Sequence, residues 1–283
     1  MIKEWLETYS PKNQEELTGA MREIMQEITL VGMKQSGFFE KAAFYGGTAL
    51  RIFHKLDRFS EDLDFSLLEK DDSFSLAPYL GRVISEFESM GIQVQIEQKK
   101  KTIQTNVDSE FLKSETIMAD LSLSEIIPSI NGVQKLNIKI KIEIDTAPPS
   151  GFSTEEKLLL KPFSFYVPCY QLPDLFAGKM HALLFRKWKQ RIKGRDWYDM
   201  EWYIKNGIKL HKTHFLERAK DSGDWHAENI NDSAFLKLVQ EKIEQTSIDA
   251  IKEDVVRFIP DASKIDIWSK QYFLDLTQHL KFC

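Results

Sequence analysis

The sequence lacks the features that mark a secreted, membrane-spanning or disordered protein. It has two cysteines in 283 residues, Cys169 and Cys283, and their spacing matches neither a disulfide framework nor a metal site. No apolar run approaches the roughly 18–20 residues that a membrane helix needs, and no biased tract indicates disorder. The acidic, amphipathic N-terminus does not resemble a signal peptide. We therefore expect a cytoplasmic protein with no membrane partner.

A strong charge of either sign is also missing, because 38 Lys and Arg face 43 Asp and Glu for a net charge of −5. Contact with nucleic acid would therefore need a local basic patch. Residues 186–195 supply one candidate, in which cations neutralise phosphates and an aromatic ring can stack on a base. A solvated basic loop would explain this segment equally well. The possible nucleic-acid contacts are Lys187, Trp188, Lys189, Arg191, Lys193 and Arg195.

Hydrophobic periodicity divides the chain into three parts and predicts an α+β fold. Residues 1–34 form an N-terminal helical segment, with a helix over 14–32, that packs on the core. Residues 35–165 form that core, with a small mixed β-sheet and flanking helices. Its strands are predicted at 62–68, 92–98, 116–123 and 136–144 and one helix at 74–90. Residues 166–283 form a helical C-terminal domain.

Two aspartates on the strand at 62–68 are the first candidates for chemistry. Asp62 and Asp64 alternate with apolar residues, so both side chains project from one face, with Cα atoms roughly 6.5 Å apart. Mg²⁺ prefers oxygen ligands and often uses one or two carboxylates together with substrate phosphates. The same pattern is typical of the solvated edge of an amphipathic strand, so the aspartate pair by itself does not decide between the two.

A glycine pair before a helix precedes these aspartates. Gly46 and Gly47 let the backbone approach a phosphate closely, the helix N-terminus after them offers free N–H groups, and Thr48 adds a hydroxyl donor. A plain turn with a helix cap explains the three residues alone. Together with the aspartates, they indicate a phosphate-binding turn beside a metal site.

A third carboxylate would complete such a site. Glu143 lies on the polar face of the strand at 136–144 and could hold a metal or act as general base; Asp145 stands at the strand end and is less favoured. Cross-strand ion pairing with the neighbouring lysines is the competing interpretation.

The segment GGTALRIFHKLDRFSEDLDFSLL resembles the signature of the AbiEii/AbiGii-type nucleotidyltransferases, a branch of the DNA polymerase β-like superfamily. Two downstream motifs of that family are also present, Lys179 to Arg186 with six residues between them and Arg195-Asp196-Trp197-Tyr198-Asp199. The resemblance spans about residues 40–204 and leaves 205–283 without a match. It implies that Ser60 also contacts the nucleotide and that Lys179, Asp196 and Asp199 belong to the catalytic machinery.

The downstream residues also have a physical interpretation of their own. Lys179 and Arg186 are seven apart, which on a helix places both on one face, where they suit an NTP triphosphate. Asp196 and Asp199, three apart on the next helix, could pair with Lys179 or Arg195 and orient the cations. Solvated cations and a capping aspartate are the alternatives.

The combined pattern predicts a Mg²⁺- or Mn²⁺-dependent enzyme that transfers a nucleotide from an NTP to an acceptor hydroxyl and releases pyrophosphate. The resemblance further implies a toxin of a bacterial toxin–antitoxin or phage-defence pair, an antitoxin partner, and an acceptor such as tRNA or another RNA. A nucleotidyltransferase that modifies a small molecule or a protein remains an alternative. A non-catalytic nucleotide-binding regulatory module remains a third.

Overall fold

The computed structural model describes residues 2–100, 116–123, 138–186 and 192–283. Within these ranges the helices are α1 (Ile2–Glu7), α2 (Gln14–Gln35), α3 (Gly46–His54), α4 (Ala77–Ser89), α5 (Leu172–Phe185), α6 (Gly194–Lys205), α7 (Lys212–Asp221), α8 (Asp232–Gln245), α9 (Ile248–Val255) and α10 (Lys270–Thr277). The strands are β1 (Ala42–Tyr45), β2 (Asp62–Leu67), β3 (Gln95–Lys100), β4 (Thr116–Leu123), β5 (Ile138–Asp145), β6 (Thr154–Leu159), β7 (Phe165–Tyr170), β8 (Lys209–Leu210) and β9 (Lys281–Phe282).

The first seven strands form one mixed sheet in the order β3-β4-β5-β2-β1-β7-β6. β2 pairs with β5 in parallel, as does β1 with β7, and the remaining pairs are antiparallel. The predicted α+β fold with a mixed sheet and a helical C-terminal region is confirmed. The central position of β2 places its two aspartates in the middle of the sheet.

One face of the sheet is covered by the N-terminal helices. α2 is held at its start by Asn13, whose side chain accepts a hydrogen bond from the Glu16 N–H, and its apolar stripe faces the sheet. Leu63 and Phe65 of β2 lie in the core that forms there, as do the alternating isoleucines of β5. The odd-numbered residues of β2 are therefore committed to this first core.

The C-terminal helices cover part of the opposite face and build a second core. That core includes Ala43 of β1, Leu50 of α3 and Tyr170 of β7, together with side chains from α5 to α10. The even-numbered residues of β2 point to this side. The candidate site thus lies on the face that the sheet shares with the helical region.

The sequence predicted four of the strands and missed two at one edge of the sheet. β2, β4 and β5 agree closely with prediction, and β3 is shifted by about three residues. β6 (sequence TEEKLL) was not predicted because it is a charged edge strand with little apolar alternation. β7 (sequence FYVPCY) was not predicted because it contains a proline. β7 extends the sheet to Tyr170, past the predicted limit of the core at residue 165.

No helix among the described residues is long and apolar enough to cross a membrane.

Candidate active site

Strand alternation aims Asp62 and Asp64 away from the first core. Leu63 and Phe65 are completely buried on the other side, and this burial fixes which face each neighbour occupies. Both aspartates are half-buried in the structure. The predicted common face for the two carboxylates is confirmed.

The parallel register brings β5 residues beside them. In the register of these two strands, Asp64 lies beside Glu143 and Asp62 lies beside Lys141. Paired strands lie about 4.8 Å apart, so Glu143 joins the two aspartates on one face, as predicted. The Lys141 ammonium forms an ion pair with Glu143. Both residues belong to β5, so this pair lies within one strand and is not the cross-strand pair of the competing interpretation.

Gly46 provides space for Asp64. Its φ is +82°, a left-handed conformation that favours glycine. A Cβ at this position would overlap Asp64 Oδ2 and lie 2.9 Å from Asp64 Cγ. The turn and the strand therefore meet at Gly46, and only a residue without a side chain permits this contact.

Gly47 provides space for the segment that leads into β2. A Cβ here would lie 2.6 Å from Arg58 Nη2 and 3.1 Å from Ser60 Oγ. Ser60 thus lies against the turn, as a nucleotide contact would require. The two halves of the sequence signature touch each other at this glycine.

Thr48 has a different contact from the one expected. Its side chain is buried, and the hydroxyl donates a hydrogen bond to the main-chain carbonyl of Asp62. This bond fastens α3 to β2. A contact between Thr48 and phosphate stays a prediction, and it would fall to the backbone N–H at the start of the helix.

A buried ion network connects the turn to α5 and α6. Arg58 donates two hydrogen bonds to Asp199, Nε to Oδ1 at 2.5 Å and Nη2 to Oδ2 at 2.6 Å. Lys179 Nζ lies 2.8 Å from both Asp196 Oδ1 and Asp199 Oδ2. The predicted pairing of these aspartates with Lys179 is confirmed.

Each partner in this network stabilises the charge of the other. Burial would raise the pKa of Asp199, but Arg58 and Lys179 outweigh it and hold that pKa below its ordinary value. Burial would lower the pKa of Lys179, but Asp196 and Asp199 raise it. Lys179 therefore stays an ammonium at the edge of the site.

The strand carboxylates experience the opposite environment. Burial, followed by repulsion from Glu143 and Asp62, raises the pKa of Asp64 to about 7, although Lys179 and Lys193 act against the shift. Burial and Glu143 also raise the pKa of Asp62. Negative charge is therefore crowded on this face and only partly balanced by the cations nearby.

The donor set fits a divalent cation held by two protein carboxylates. Asp62 and Asp64 supply hard oxygen atoms on one face, and the repulsion that raises their pKa values is what a cation would relieve. In the described residues no group of three side chains is arranged as a complete metal site. An ion held by Asp62 and Asp64 would take its remaining ligands from substrate phosphate and water, and a metal role for Glu143 stays a prediction.

Arg186 lies near this network at the end of α5. The helix ends at Phe185, and Arg186 is its cap residue, with its N–H bonded to the Ala182 carbonyl. Arg186 is exposed, whereas Lys179 is largely buried. Burial would raise the pKa of Asp196, but the positive charges of Lys179 and Arg186 lower it. Lys179 pairs directly with Asp196, and Arg186 lines the same cleft as Asp196.

The predicted nucleic-acid patch is described in part. Arg195 pairs with Glu61 at 3.2 Å and lies 4.0 Å above the ring of Phe258. Lys193 is the N-cap residue of α6. The other candidates lie outside the described residues: Lys187, Trp188, Lys189 and Arg191.

Arg58 is the residue that sequence reasoning undervalued. It belongs to the quoted signature, but its role as the buried link between Gly47 and Asp199 depends on a contact across 141 positions of sequence. The one available signal was a lone arginine just before the aspartate pair.

A family model described as "Nucleotidyl transferase AbiEii toxin, Type IV TA system" matches residues 28–275. The crystal structure of JHP933 from Helicobacter pylori is similar with a TM-score of 0.50 and 16% identity, over 92% of this chain and 90% of that one. A candidate nucleotidyltransferase from H. pylori has a TM-score of 0.49 and 18% identity, over 91% of each chain. None of the curated proteins compared with the chain matches it. The similarity to the JHP933 structure shows that the two proteins share a fold.

Proposed function

The chain belongs to the AbiEii family of nucleotidyl transferase toxins, and from this membership we propose that it transfers a nucleotide from an NTP to an RNA acceptor. The nucleotidyltransferase class follows from the family. The metal, the NTP, the acceptor and the partner are the proposed parts.

The observation that carries the proposal is the contact between Gly46 and Asp64. It brings a helix N-terminus, which favours phosphate, against a strand with two carboxylates, which favour a divalent cation. Lys179 lies close enough to lower the pKa of Asp64. A triphosphate bound here would meet a cation, a helix N-terminus and a metal site at once.

Asp62 and Asp64 would hold Mg²⁺ or Mn²⁺. When bound, the ion would polarise the phosphate oxygens and offset their negative charge. Glu143 is the third carboxylate on the face, and its proposed role is to accept the proton of the attacking hydroxyl or to complete the metal site.

The proposed reaction is an in-line displacement at the α-phosphorus. The acceptor oxygen forms the new P–O bond, the bond from the α-phosphorus to the bridging oxygen breaks, and pyrophosphate leaves. Gly46, Gly47, Thr48 and Ser60 orient the phosphates. Lys179 and Arg186 stabilise the charge that develops on the leaving group.

Family membership supports an antitoxin as the protein partner, since the family is one of Type IV toxin–antitoxin systems. The proposed acceptor is tRNA or another RNA. The basic residues Lys193 and Arg195 beside the site support a polyanionic acceptor over a cationic small molecule. NTPs and tRNA are both found in the cytoplasm, where we place the activity.

Label transfer tests the proposal directly. The protein is incubated with each α-labelled NTP, Mg²⁺ and total bacterial RNA, beside Asp64→Ala. Asp72→Ala is the matched control because Asp72 is exposed and pairs with Lys70 at the surface. We expect labelled RNA with the wild type and Asp72→Ala, and a loss of at least about 10²-fold in Asp64→Ala, since one carboxylate can no longer hold the metal.

Two outcomes contradict the proposal. Equal transfer by Asp64→Ala would refute the assigned metal site. Label found on protein or on a small acceptor, with none on RNA, would refute the RNA acceptor and leave the transferase class intact.

A further inference from the structure

A second cationic region lies beside the ion network, where α8 approaches α5 and α6. A cleft of about 210 Å³ opens there. Its polar lining residues are Arg186, Lys193, Asp196, Lys242, Gln245 and Thr246. We name it the α8 cleft, after the helix that completes it.

We propose that the α8 cleft binds a phosphate group and that Lys242 is its anchoring cation. The ligand class is a phosphate of the NTP or of the acceptor backbone. The inference rests on the proposed function for its ligand, and it assigns a role to the C-terminal region, to which the family signature in the sequence did not extend.

The charges of the cleft favour an anion. Arg186, Lys193 and Lys242 contribute three cations. The single carboxylate in the lining, Asp196, already has Lys179 as its ion-pair partner at 2.8 Å. The described lining of the cleft therefore holds three cations and one carboxylate, and Asp196 offsets only part of the positive charge.

Among the three cations of the cleft, Lys242 gives the clearest indication of a bound anion. It is half-buried and forms no ion pair with the carboxylates that the structure describes, although its helix carries Glu241 and Glu244 nearby. Burial lowers its pKa. A bound phosphate would give this lysine the counter-charge that its surroundings lack.

Lys193 shows the same crowding of positive charge. Burial and Arg186 lower its pKa, with smaller effects from Arg195 and Lys179, and Asp196 offsets them only in part. Asp196 lines the cleft and pairs with Lys179 at 2.8 Å. The α8 cleft therefore adjoins the buried ion network.

The size of the cleft restricts the ligand. Pockets that enclose drug-sized molecules have volumes of about 300–1,000 Å³, whereas this cleft has about 210 Å³. It accommodates a phosphate group better than a whole nucleotide. Gln245 adds a side-chain amide to the lining that can donate to a phosphate oxygen, whereas the Thr246 hydroxyl already donates to the Lys242 carbonyl.

The competing explanation is that Lys242 only complements the C-terminus of α8, where a cation is favourable. Binding measurements separate the two roles. Lys242→Ala, Lys242→Arg and the control Lys237→Ala are compared; Lys237 belongs to the same helix and has a side chain that is 76% exposed. The probes are inorganic tripolyphosphate, by calorimetry, and bulk bacterial tRNA, by fluorescence anisotropy at several salt concentrations without NTP.

We expect Lys242→Ala to weaken one probe about ten-fold and Lys242→Arg to restore most of the loss. Weaker binding of tripolyphosphate alone identifies the phosphates of the NTP. Weaker binding of tRNA alone, with the salt slope reduced by about one, identifies the acceptor backbone.

Unchanged affinity for both probes, with a lower thermal midpoint for Lys242→Ala, would overturn the proposal in favour of the helix-end role. A wild type that binds neither probe would overturn it as well. Because the readout is binding, it is independent of catalysis. Loss of phosphate binding in a protein that transfers no label would support the cleft and refute the proposed activity.

Discussion

At the scale of single residues, Asp199 connects two cations from different parts of the chain. It accepts both hydrogen bonds of Arg58 and pairs with Lys179, and its side chain is completely buried. Removing one partner of a buried ion pair is costly because the remaining charges have neither solvent nor a counter-ion. This residue therefore has a structural role beside any catalytic one.

We expect Asp199→Ala to lower the free energy of unfolding by about 3–5 kcal/mol. Chemical denaturation followed by tryptophan fluorescence measures the change. Asp72→Ala serves as the control, since its surface pair with Lys70 is exposed on both sides and is worth at most about 1 kcal/mol. A loss below about 1 kcal/mol in Asp199→Ala would show that the network does not stabilise the fold.

At the scale of elements, the junction of β1 and α3 decides the position of Asp64. Gly46 starts the helix in a left-handed conformation and leaves the space that the Asp64 carboxylate occupies. Gly151 has the same φ of +82°, but nothing lies within 4 Å of the place where its Cβ would be. A comparison of substitutions at these two glycines therefore distinguishes the effect of backbone strain, which both share, from the effect of contact with Asp64, which only Gly46 has.

We expect Gly151→Ala to lose about 1–2 kcal/mol of stability, because it forces a side chain into the left-handed region. Gly46→Ala should lose at least as much, because its Cβ also overlaps Asp64. Only Gly46→Ala displaces Asp64, and a displacement near 1 Å can lower a rate by about 10²-fold. Nucleotidyl transfer and denaturation are measured on both variants. Equal activity in the two would mean that the close approach at Gly46 does not position the carboxylate.

At the scale of the whole molecule, one sheet lies between two hydrophobic cores, and each of its faces contributes side chains to one of them. The helical region completes its core with Ala43 and Leu50 from the N-terminal half. The Phe59 N–H donates a hydrogen bond to the Phe258 carbonyl at 2.7 Å, and the Tyr198 hydroxyl donates one to Asp57 at 2.6 Å. The helical region thus depends on the sheet.

We expect a fragment of residues 166–283 to lack native packing, because it exposes the core positions that β1 and α3 fill and leaves the buried Asp199 without Arg58. Near-ultraviolet circular dichroism and the dispersion of amide proton signals report this, with the full chain as the control. A fragment with a dispersed spectrum and a cooperative transition would show that the helical region folds independently.

Local patterns predicted much of this arrangement from the sequence. The alternation in residues 62–68 and 136–144 predicted β2, β5 and the face that carries Asp62, Asp64 and Glu143, because a buried apolar set fixes strand orientation. It did not predict β6 and β7, since a charged edge strand and a proline-containing strand lack that alternation.

The sequence by itself determined the types of group available: paired carboxylates on one strand face, a glycine turn before a helix, and cations on later helices. Alternation and turn chemistry act between near neighbours, so they can be recognised in a single segment. Only the tertiary structure decided which groups meet. The parallel register places Glu143 beside Asp64, Gly46 accommodates Asp64, and Arg58 reaches Asp199, because contacts between distant segments depend on how the sheet and helices pack as a whole.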